Sequence, residues 1–359
     1  MKASAALATL RHLASIRLPA KMTLPTVSLL MREIVPAETF TVLWLDEDCN
    51  LHDVYSNHLC PREIGSRFTS EYLNAREDEV YPTHRKFMRG GSRCDLLHAR
   101  PGYRNTAFFA EFAQPMGFGR VARFAVRNAD QPVAAVWVTR AVGDREFARR
   151  ELERALLAAS YIEHILAGGS DDVVCDVPSG DSGWLIANLD GKVQFFAEGT
   201  EALLHMAAGV PRNQATLSTP CYEWSQPLLK RLASGVTALS GERGHEIPVL
   251  AVRNSSGRYS LRAYRLHDSA GAHSGLIGVQ IARQVPLSVR LLESPAVRAL
   301  PPREKQVCLL LIEGLATEHI AAKMGISTHG VVQHIRSLYN RLGIHRREEL
   351  FPALIPLNA

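Results

Sequence analysis

The chain has 359 residues, of which 46% are hydrophobic, and a formal net charge of +5. This length exceeds one small domain, so two or three domains are expected. The mild charge excludes a chain that is basic throughout. Six scattered cysteines without a C-x-x-C pair are typical of free thiols in a reducing compartment, so the cytoplasm is the predicted location.

The first twenty residues are small, basic and apolar, as some targeting signals are. Arg11 and His12 interrupt the apolar run, so the segment lacks the continuous core of a signal peptide. We expect an amphipathic helix that packs on the first domain or between protomers. No stretch approaches the roughly 18 uninterrupted apolar residues of a spanning helix, so no membrane partner is expected.

Residues 1–168 are predicted to form a mixed α/β domain. Apolar runs bounded by turn residues indicate strands, and apolar residues at three- and four-residue steps indicate helices. The predicted helices are 24–35, 70–89, 106–114 and 144–166, and the predicted strands are 40–45, 51–55, 119–127 and 132–138. This order resembles a GAF domain, a sensory fold whose closing helix leads toward an output domain.

Residues 183–285 are predicted to form a second mixed α/β domain, after a linker at 169–182 that is rich in Gly, Ser, Asp and Pro. The predicted strands are 184–189, 193–196, 246–253, 259–266 and 275–283, and the predicted helices lie around 202–206 and 222–232. This order resembles a PAS domain, and it also fits a structural adaptor without a ligand. A second linker is predicted at 286–295.

Residues 296–359 are predicted to form an all-α unit of four helices, at 302–313, 318–324, 328–341 and from about 346. Gly325 is placed to end the second helix in a left-handed conformation, and Ser327 can cap the third. The second and third helices have the proportions of a helix-turn-helix, whose second helix enters the DNA major groove.

The charge of this unit favours the same interpretation. Between Ser327 and Arg347 there are four arginines (Arg336, Arg341, Arg346 and Arg347) and no acidic residue. Solvated helix faces normally mix both signs, whereas a segment of one sign is suited to phosphates. Double-stranded DNA is therefore the predicted partner.

The residues from Leu300 to about Leu350 resemble the DNA-binding domain of the LuxR family in type and spacing. The shared positions are Pro302-Arg303-Glu304, Val307, Glu313-Gly314, Ile320-Ala321, Gly325-Ile326-Ser327, Val331, His334, Leu342-Gly343 and Glu349-Leu350. The resemblance implies base contacts from Val332, Gln333 and Arg336. It implies phosphate contacts from Lys323, Ser327, Thr328 and Arg341.

A homodimer is expected, because one short helix reads few bases and two half-sites raise specificity. The resemblance implies Leu350, Leu354 and Ile355 of the fourth helix as the dimer surface; the same residues could instead close the domain core. Three positions depart from the family pattern. Pro301 lacks the side-chain acceptor that would pair with Glu304 in a capping box. Gly330 lowers the helix propensity of the recognition helix, and Val332 stands where many relatives have Lys.

No catalytic constellation emerges, so no enzyme activity, cofactor or metal is predicted. His52, His58 and Cys60 lack a second ligand pair at a recognisable spacing. The aromatic residues are expected to fill cores more often than they bind ligands. Those considered are Trp44, Tyr55, Phe108 and Phe109 in the first domain, and Trp184, Phe195, Phe196 and Tyr222 in the second.

The resulting hypothesis is a transcriptional regulator with two sensor-like domains and a helix-turn-helix. A signal would shift an equilibrium in which the recognition helix is free or occluded, or in which dimers form. RNA polymerase and a small-molecule effector are further partners that this hypothesis leaves open. The alternative, suggested by Gly330 and Val332, is a ligand- or protein-interaction module that has lost specific DNA binding.

Overall fold

The computed structural model describes residues 2–58, 60–73, 84–128, 131–169, 173–213, 215–217, 221–238 and 247–355. Within these ranges the chain forms two domains built on antiparallel sheets, followed by a helical C-terminal unit. None of the helices in these ranges combines the length and apolarity that crossing a bilayer requires.

The first domain contains a five-stranded sheet in the order β2-β1-β5-β4-β3. Its strands are β1 (Thr39–Leu45), β2 (Leu51–Ser56), β3 (Cys94–Leu96), β4 (Arg120–Asn128) and β5 (Gln131–Arg140). Its helices are α1 (Lys2–Ile16), α2 (Ala20–Ile34), α3 (Arg62–Arg67), α4 (His84–Arg89) and α5 (Arg149–Leu166). Short helical turns lie at Phe68–Tyr72, Leu97–Ala99, Tyr103–Asn105 and Phe109–Ala113.

Both faces of this first sheet are buried, because its strands carry apolar residues on both sides. Phe40 and Phe124 belong to the apolar cluster that includes helices α1, α2 and α5. Leu43 and Trp137 belong to a second cluster, built with the segment between β2 and β4. Phe108 and Phe109 are also buried in that second cluster, as the sequence predicts.

The second domain repeats this topology, since its sheet order, β7-β6-β10-β9-β8, is again 2-1-5-4-3 in the domain's own numbering. Its strands are β6 (Val177–Asn188), β7 (Val193–Phe196), β8 (Val249–Asn254), β9 (Gly257–His267) and β10 (His273–Val285). Its helices are α6 (Thr200–Ala208), α7 (Cys221–Trp224) and α8 (Gln226–Ala238).

Among the described residues, helices α6 and α8 cover one face of this second sheet, and most of its other face is left uncovered. The core role predicted for three aromatic residues is therefore wrong, since Trp184 is 49%, Phe195 67% and Phe196 47% exposed. Trp184 points away from the helices because its neighbour in the strand, Leu185, is buried against them and side chains alternate along a strand. The side chain of Tyr222 lies outside the described set.

The C-terminal unit consists of α9 (Leu287–Glu293), α10 (Pro295–Ala299), α11 (Pro302–Ile312), α12 (Thr317–Met324), α13 (Thr328–Leu342) and α14 (Leu350–Leu354). Its apolar core is continuous with that of the first domain. The shared cluster runs from Leu10 in α1 through Leu291 in α9 to Val307 in α11. The helix-turn-helix is therefore docked on the N-terminal domain and is not separated from it by a flexible linker.

Both predicted linkers are partly wrong. Strand β6 begins at Val177, inside the first, where Val177 pairs with Val285 of β10. The second contains helix α9 and the start of α10, because Pro286 and Pro295 stand at helix N-termini, where a missing N–H costs nothing.

Two predicted helices also have other boundaries in the structure. The helix predicted from residue 144 begins at Arg149, where the Glu151 carboxylate accepts the Ala148 N–H at 2.9 Å. The helix predicted at 222–232 is interrupted at Ser225 and continues to Ala238. Residues 74–83 of the helix predicted at 70–89 lie outside the described ranges.

Candidate nucleic-acid interface

Helices α12 and α13 meet at a tight turn that the sequence specifies locally. Gly325 ends α12 with a φ of 64°, the left-handed conformation that glycine adopts without strain. Ser327 caps α13, since its Oγ accepts the Gly330 N–H at 3.1 Å. Val331 and Leu338 are the buried residues of α13, and they lie in the cluster that holds α11. The opposite side of α13 is therefore turned outward.

The outward side of α13 carries the predicted base-reading positions. Gln333 and Arg336 are exposed, and Val332 is partly buried. Arg336 has no ion pair among the described residues. The Gln333 Nε2 lies 3.2 Å from the His329 Nε2, one turn earlier. An exposed amide and guanidinium can form the bidentate contacts that identify adenine and guanine.

The predicted phosphate contacts lie around the same helix. Ser327 and Thr328, at its N-terminus, are exposed, as is Lys323 in α12. The Lys323 Nζ lies 3.5 Å from the Glu313 Oε2, and both side chains are more than half exposed. Solvent screening makes such a pair weak, so Lys323 can exchange this carboxylate for a phosphate.

Glu304 has partners that the sequence does not reveal. Its carboxylate accepts hydrogen bonds from Ser337 Oγ at 2.8 Å and from Arg341 Nε at 3.0 Å. Pro301 leaves Glu304 without a capping partner, but the side chain is only 7% exposed and joins α11 to α13. The Arg341 guanidinium is held through its Nε, and its side chain is 50% exposed.

The same segment is matched in known proteins. The family of bacterial regulatory proteins named luxR (GerE) matches residues 298–352. This segment is a LuxR-type domain. A curated protein of Aeromonas salmonicida, named for an HTH-type transcriptional regulator in the exeN 3' region, is 48% identical over 52 residues. The match covers 14% of this chain and 26% of that protein.

Solved structures offer only distant likenesses. A GAF domain/HD domain protein of Geobacter sulfurreducens has a TM-score of 0.32 at 15% identity, over 41% of this chain and 92% of that one. The VqmA dimer of Vibrio cholerae has a TM-score of 0.20 at 17% identity, over 49% and 86%. These values are too low to transfer a fold or a ligand, so nothing about the two sheet domains follows from them.

The last helix of the LuxR-type domain is folded inward. Leu350 and Leu354 are 1% exposed and Ile355 is 6% exposed, all within the apolar cluster of the protomer. Ser294 Oγ donates a hydrogen bond to the Leu354 carbonyl at 2.7 Å, which ties this helix to α10. In this arrangement the three residues close the domain core, the alternative that the sequence left open, and do not present a free surface.

The basic segment is smaller than the sequence suggests. The Arg347 guanidinium donates to the carbonyls of Leu311 at 2.5 Å and Leu315 at 3.2 Å, so it has a structural role. Arg341 is paired with Glu304 through one edge. Among the described residues, Arg341 is the one of these four arginines with an ion pair, and Arg336, Arg346 and Arg347 have none.

Two contacts dock the LuxR-type domain on the N-terminal helices. Lys305 of α11 is 3% exposed, and its Nζ donates to Thr9 Oγ1 of α1. Arg298 Nη1 lies 2.7 Å from Glu33 Oε1 of α2. Sequence reasoning missed both contacts, since the partners are 296 and 265 residues apart in the chain. The one related signal in the sequence is the apolar pattern of the first twenty residues, which predicts a helix that packs on another part of the protein.

The remaining predicted sites are dispersed. Trp44 and Tyr55 are partly buried: they pack against the apolar cluster of the first domain and also line the cleft between the two sheet domains. Within the described ranges, no group of three or more His, Cys, Asp and Glu side chains is placed to hold a metal ion.

Proposed function

We propose that this chain is a DNA-binding transcriptional regulator in which helix α13 enters the major groove. The observation that carries the proposal is the capped, exposed helix α13 in a LuxR-type helix-turn-helix, with Gln333 and Arg336 outward and no acidic residue from 327 to 347. A helix of this kind reads base edges, while neighbouring cations bind phosphates.

Each predicted residue has a role under this proposal. Gln333 and Arg336 read adenine and guanine, and Val332 contacts a thymine methyl group. Lys323, Ser327, Thr328 and Arg341 hold the backbone and fix the position of the helix. Glu304 orients Arg341 toward a phosphate, since it holds the Nε edge of the guanidinium.

The two sheet domains are proposed to be sensors of GAF-like and PAS-like type. Their shared strand order supports a common architecture. Because α13 is exposed while the LuxR-type domain is docked, regulation would act on the orientation of the domain and not by covering the helix. The chain would act in the cytoplasm, where it can reach DNA and RNA polymerase.

The regulator is proposed to bind DNA as a homodimer, because one recognition helix reads few bases and a second half-site raises specificity. Leu350, Leu354 and Ile355 could serve as the dimer surface only after α14 leaves its own core. A dimer formed through these residues would therefore release the docked arrangement.

Selection of binding sites from random duplexes by the full chain tests the proposal. We expect enrichment of one motif, present as two half-sites about one or more helical turns apart. A chain in which Gln333 and Arg336 are both replaced by Ala should enrich no motif. If the wild-type chain also enriches none at low salt, the chain is an interaction module and the proposal fails.

A further inference from the structure

A cavity of about 580 Å³ lies where the two sheet domains meet helix α9. Its size is within the range of small-molecule sites. Helix α2 and strands β1 and β2 form one wall, and α6 with the segment that follows it forms another. Arg290 and Glu293 of α9 complete it, so the cavity contacts the element that leads into the DNA-binding unit.

One side of the cavity is apolar and aromatic. Trp44 and Tyr55 come from neighbouring strands of the first sheet, and Leu29 and Pro25 come from α2. Leu29 is 41% exposed although it is apolar. Met206 of α6 also lines the cavity. Walls of this kind accommodate a flat ring system.

The acidic groups of the cavity already have partners. Asp53 forms an ion pair with Lys21 and accepts the Arg212 N–H at 2.8 Å. Asp181 lies 3.1 Å from the Arg283 guanidinium. Glu293 accepts a hydrogen bond from Thr26 at 2.8 Å. Three carboxylates are therefore satisfied by the protein itself.

The basic groups are less well satisfied. The Nε of Arg290 is buried with no hydrogen-bond partner in the described ranges, and its Nη1 is 3.9 Å from the Glu293 Oε2, too far for a hydrogen bond. Arg32, at the rim, is exposed and has no ion pair among the described residues. A buried donor without a partner costs free energy that a bound acceptor would recover.

A partly buried histidine, His205, adds a neutral polar group. The Nδ1 of His205 has no partner in the part of the chain that the structure describes. Burial, with help from Arg212, lowers the pKa of His205 to about 4, so the ring is uncharged at neutral pH. It can exchange a hydrogen bond with a polar substituent and does not compete for an anion.

We propose that this cavity binds a small aromatic acid, with its ring between Trp44 and Leu29 and its carboxylate toward Arg290 and Arg32. Guanidinium groups pair with carboxylates through two parallel hydrogen bonds. An aromatic acid should therefore bind with higher affinity than its neutral analogue. The ligand lies between domains, outside the core of either sheet.

This position gives the ligand a route to the DNA-binding unit, a consequence that rests on the proposed function. Arg290 and Glu293 face the cavity, whereas Leu291 and Leu292 of the same helix pack in the cluster shared with α11. A ligand that draws Arg290 inward acts on a helix whose other side holds the LuxR-type domain. The docking of that domain then depends on the ligand.

Calorimetry with the full chain tests the site. The probes are benzoate and indole-3-acetate, with indole-3-acetamide as the neutral match. We expect saturable binding of at least one acid at millimolar concentration or below, and binding of the amide about tenfold weaker or more. The proposal is overturned if neither acid binds, or if the amide binds as well as its acid.

Variants localise the binding. Arg290→Met and Arg32→Met keep most of the side-chain volume, and each should weaken acid binding about tenfold. Arg262→Met is the matched control, because Arg262 is exposed on β9. Equal binding by all three variants would overturn the site.

The two proposals fail in different ways. A chain that binds the acid but no DNA would contradict the regulator and leave the site intact. A chain that binds DNA specifically but neither acid would contradict the site alone. The DNA affinity of Arg290→Met without any acid should match that of the wild type, since Arg290 is remote from α13 in the chain and outside the predicted DNA contacts.

Discussion

The Nζ of Lys305, in the first helix of the LuxR-type domain, donates a hydrogen bond to Thr9 Oγ1 in the N-terminal helix at 2.5 Å. The same ammonium lies 3.4 Å from the Arg298 carbonyl, and the Thr9 hydroxyl donates onward to the Ala5 carbonyl at 2.9 Å. The first helix of the chain and its DNA-binding unit are therefore joined through a buried charge. A buried charge makes this docking sensitive to pH.

We predict that the docking strengthens as pH rises. Burial lowers the pKa of Lys305 to about 8 from its ordinary 10.5, with Glu33 opposing the shift and Arg298 adding to it. Between these values the unfolded chain holds a proton that the folded chain has lost, so stability rises with pH. Hydrogen exchange of the α1 amides should slow over this window, after correction for intrinsic exchange rates.

Lys305→Met should remove that pH dependence without loosening the docking, because Thr9 keeps its hydrogen bond to Ala5 and the apolar chain stays buried. Lys323→Met is the control, since Lys323 is exposed. If Lys305→Met keeps the slope of the wild type, Lys305 is not the titrating group.

The ion pair between Arg298 and Glu33 should contribute to the same docking. Both side chains are less than a third exposed, so the pair is better shielded than a surface pair. Arg298→Met should destabilise the docked state by about 1 kcal/mol and speed exchange in α11 about fivefold. Arg303→Met, at an exposed position of α11, should leave exchange unchanged; equal effects would show that the pair contributes nothing.

Substitutions of a predicted base-contacting residue and of a predicted phosphate-contacting residue should have different effects on DNA binding. Arg336→Ala should cost about 1–3 kcal/mol on the selected site and relax the preference at one base pair. Lys323→Ala should weaken binding to all sequences alike and lower the salt slope by about 1. Equilibrium titrations at several salt concentrations measure both quantities, and identical behaviour of the two variants would contradict the assigned roles.

Gly330 is a position where the domain can be stabilised. A Cβ built there would meet Ser327 Oγ at 3.4 Å, an ordinary contact, and the residue lies within a regular helix. Gly330→Ala should stabilise α13 by about 0.5–1 kcal/mol, because alanine loses less backbone freedom than glycine on folding. Amide exchange in α13 reports this gain. A loss of protection would mean that the position requires glycine for another reason.

The helix-turn-helix could be predicted closely because its signals are local. Gly325 and Ser327 act on the backbone within three residues, and their roles appear as predicted. The partners of Glu304 could not be predicted in this way, because Ser337 and Arg341 lie more than thirty residues further along the chain. A sequence indicates that a capping partner is missing, but tertiary packing supplies the replacement.

The other errors have the same origin. Pro286 and Pro295 are typical of linkers, but proline also stands at the N-termini of helices. Whether such a segment is a linker or a helix depends on the burial of its apolar side, which for α9 is seen only in the structure. Phe195 and Trp184 are of residue types that usually fill cores, but both are exposed here. Whether the second face of a sheet is covered depends on helices and strands that are distant in the sequence. The cavity could not be predicted at all, since its walls come from separate elements of both sheet domains and from α9.

The most direct test of the account is the affinity of the full chain for its selected duplex and for a shuffled duplex, measured across a salt series. The account predicts tighter binding to the selected duplex, by a factor of about a thousand or more, and affinities for both duplexes that fall steeply with salt. Equal affinities for the two duplexes at every salt concentration, or no binding to either, would contradict it.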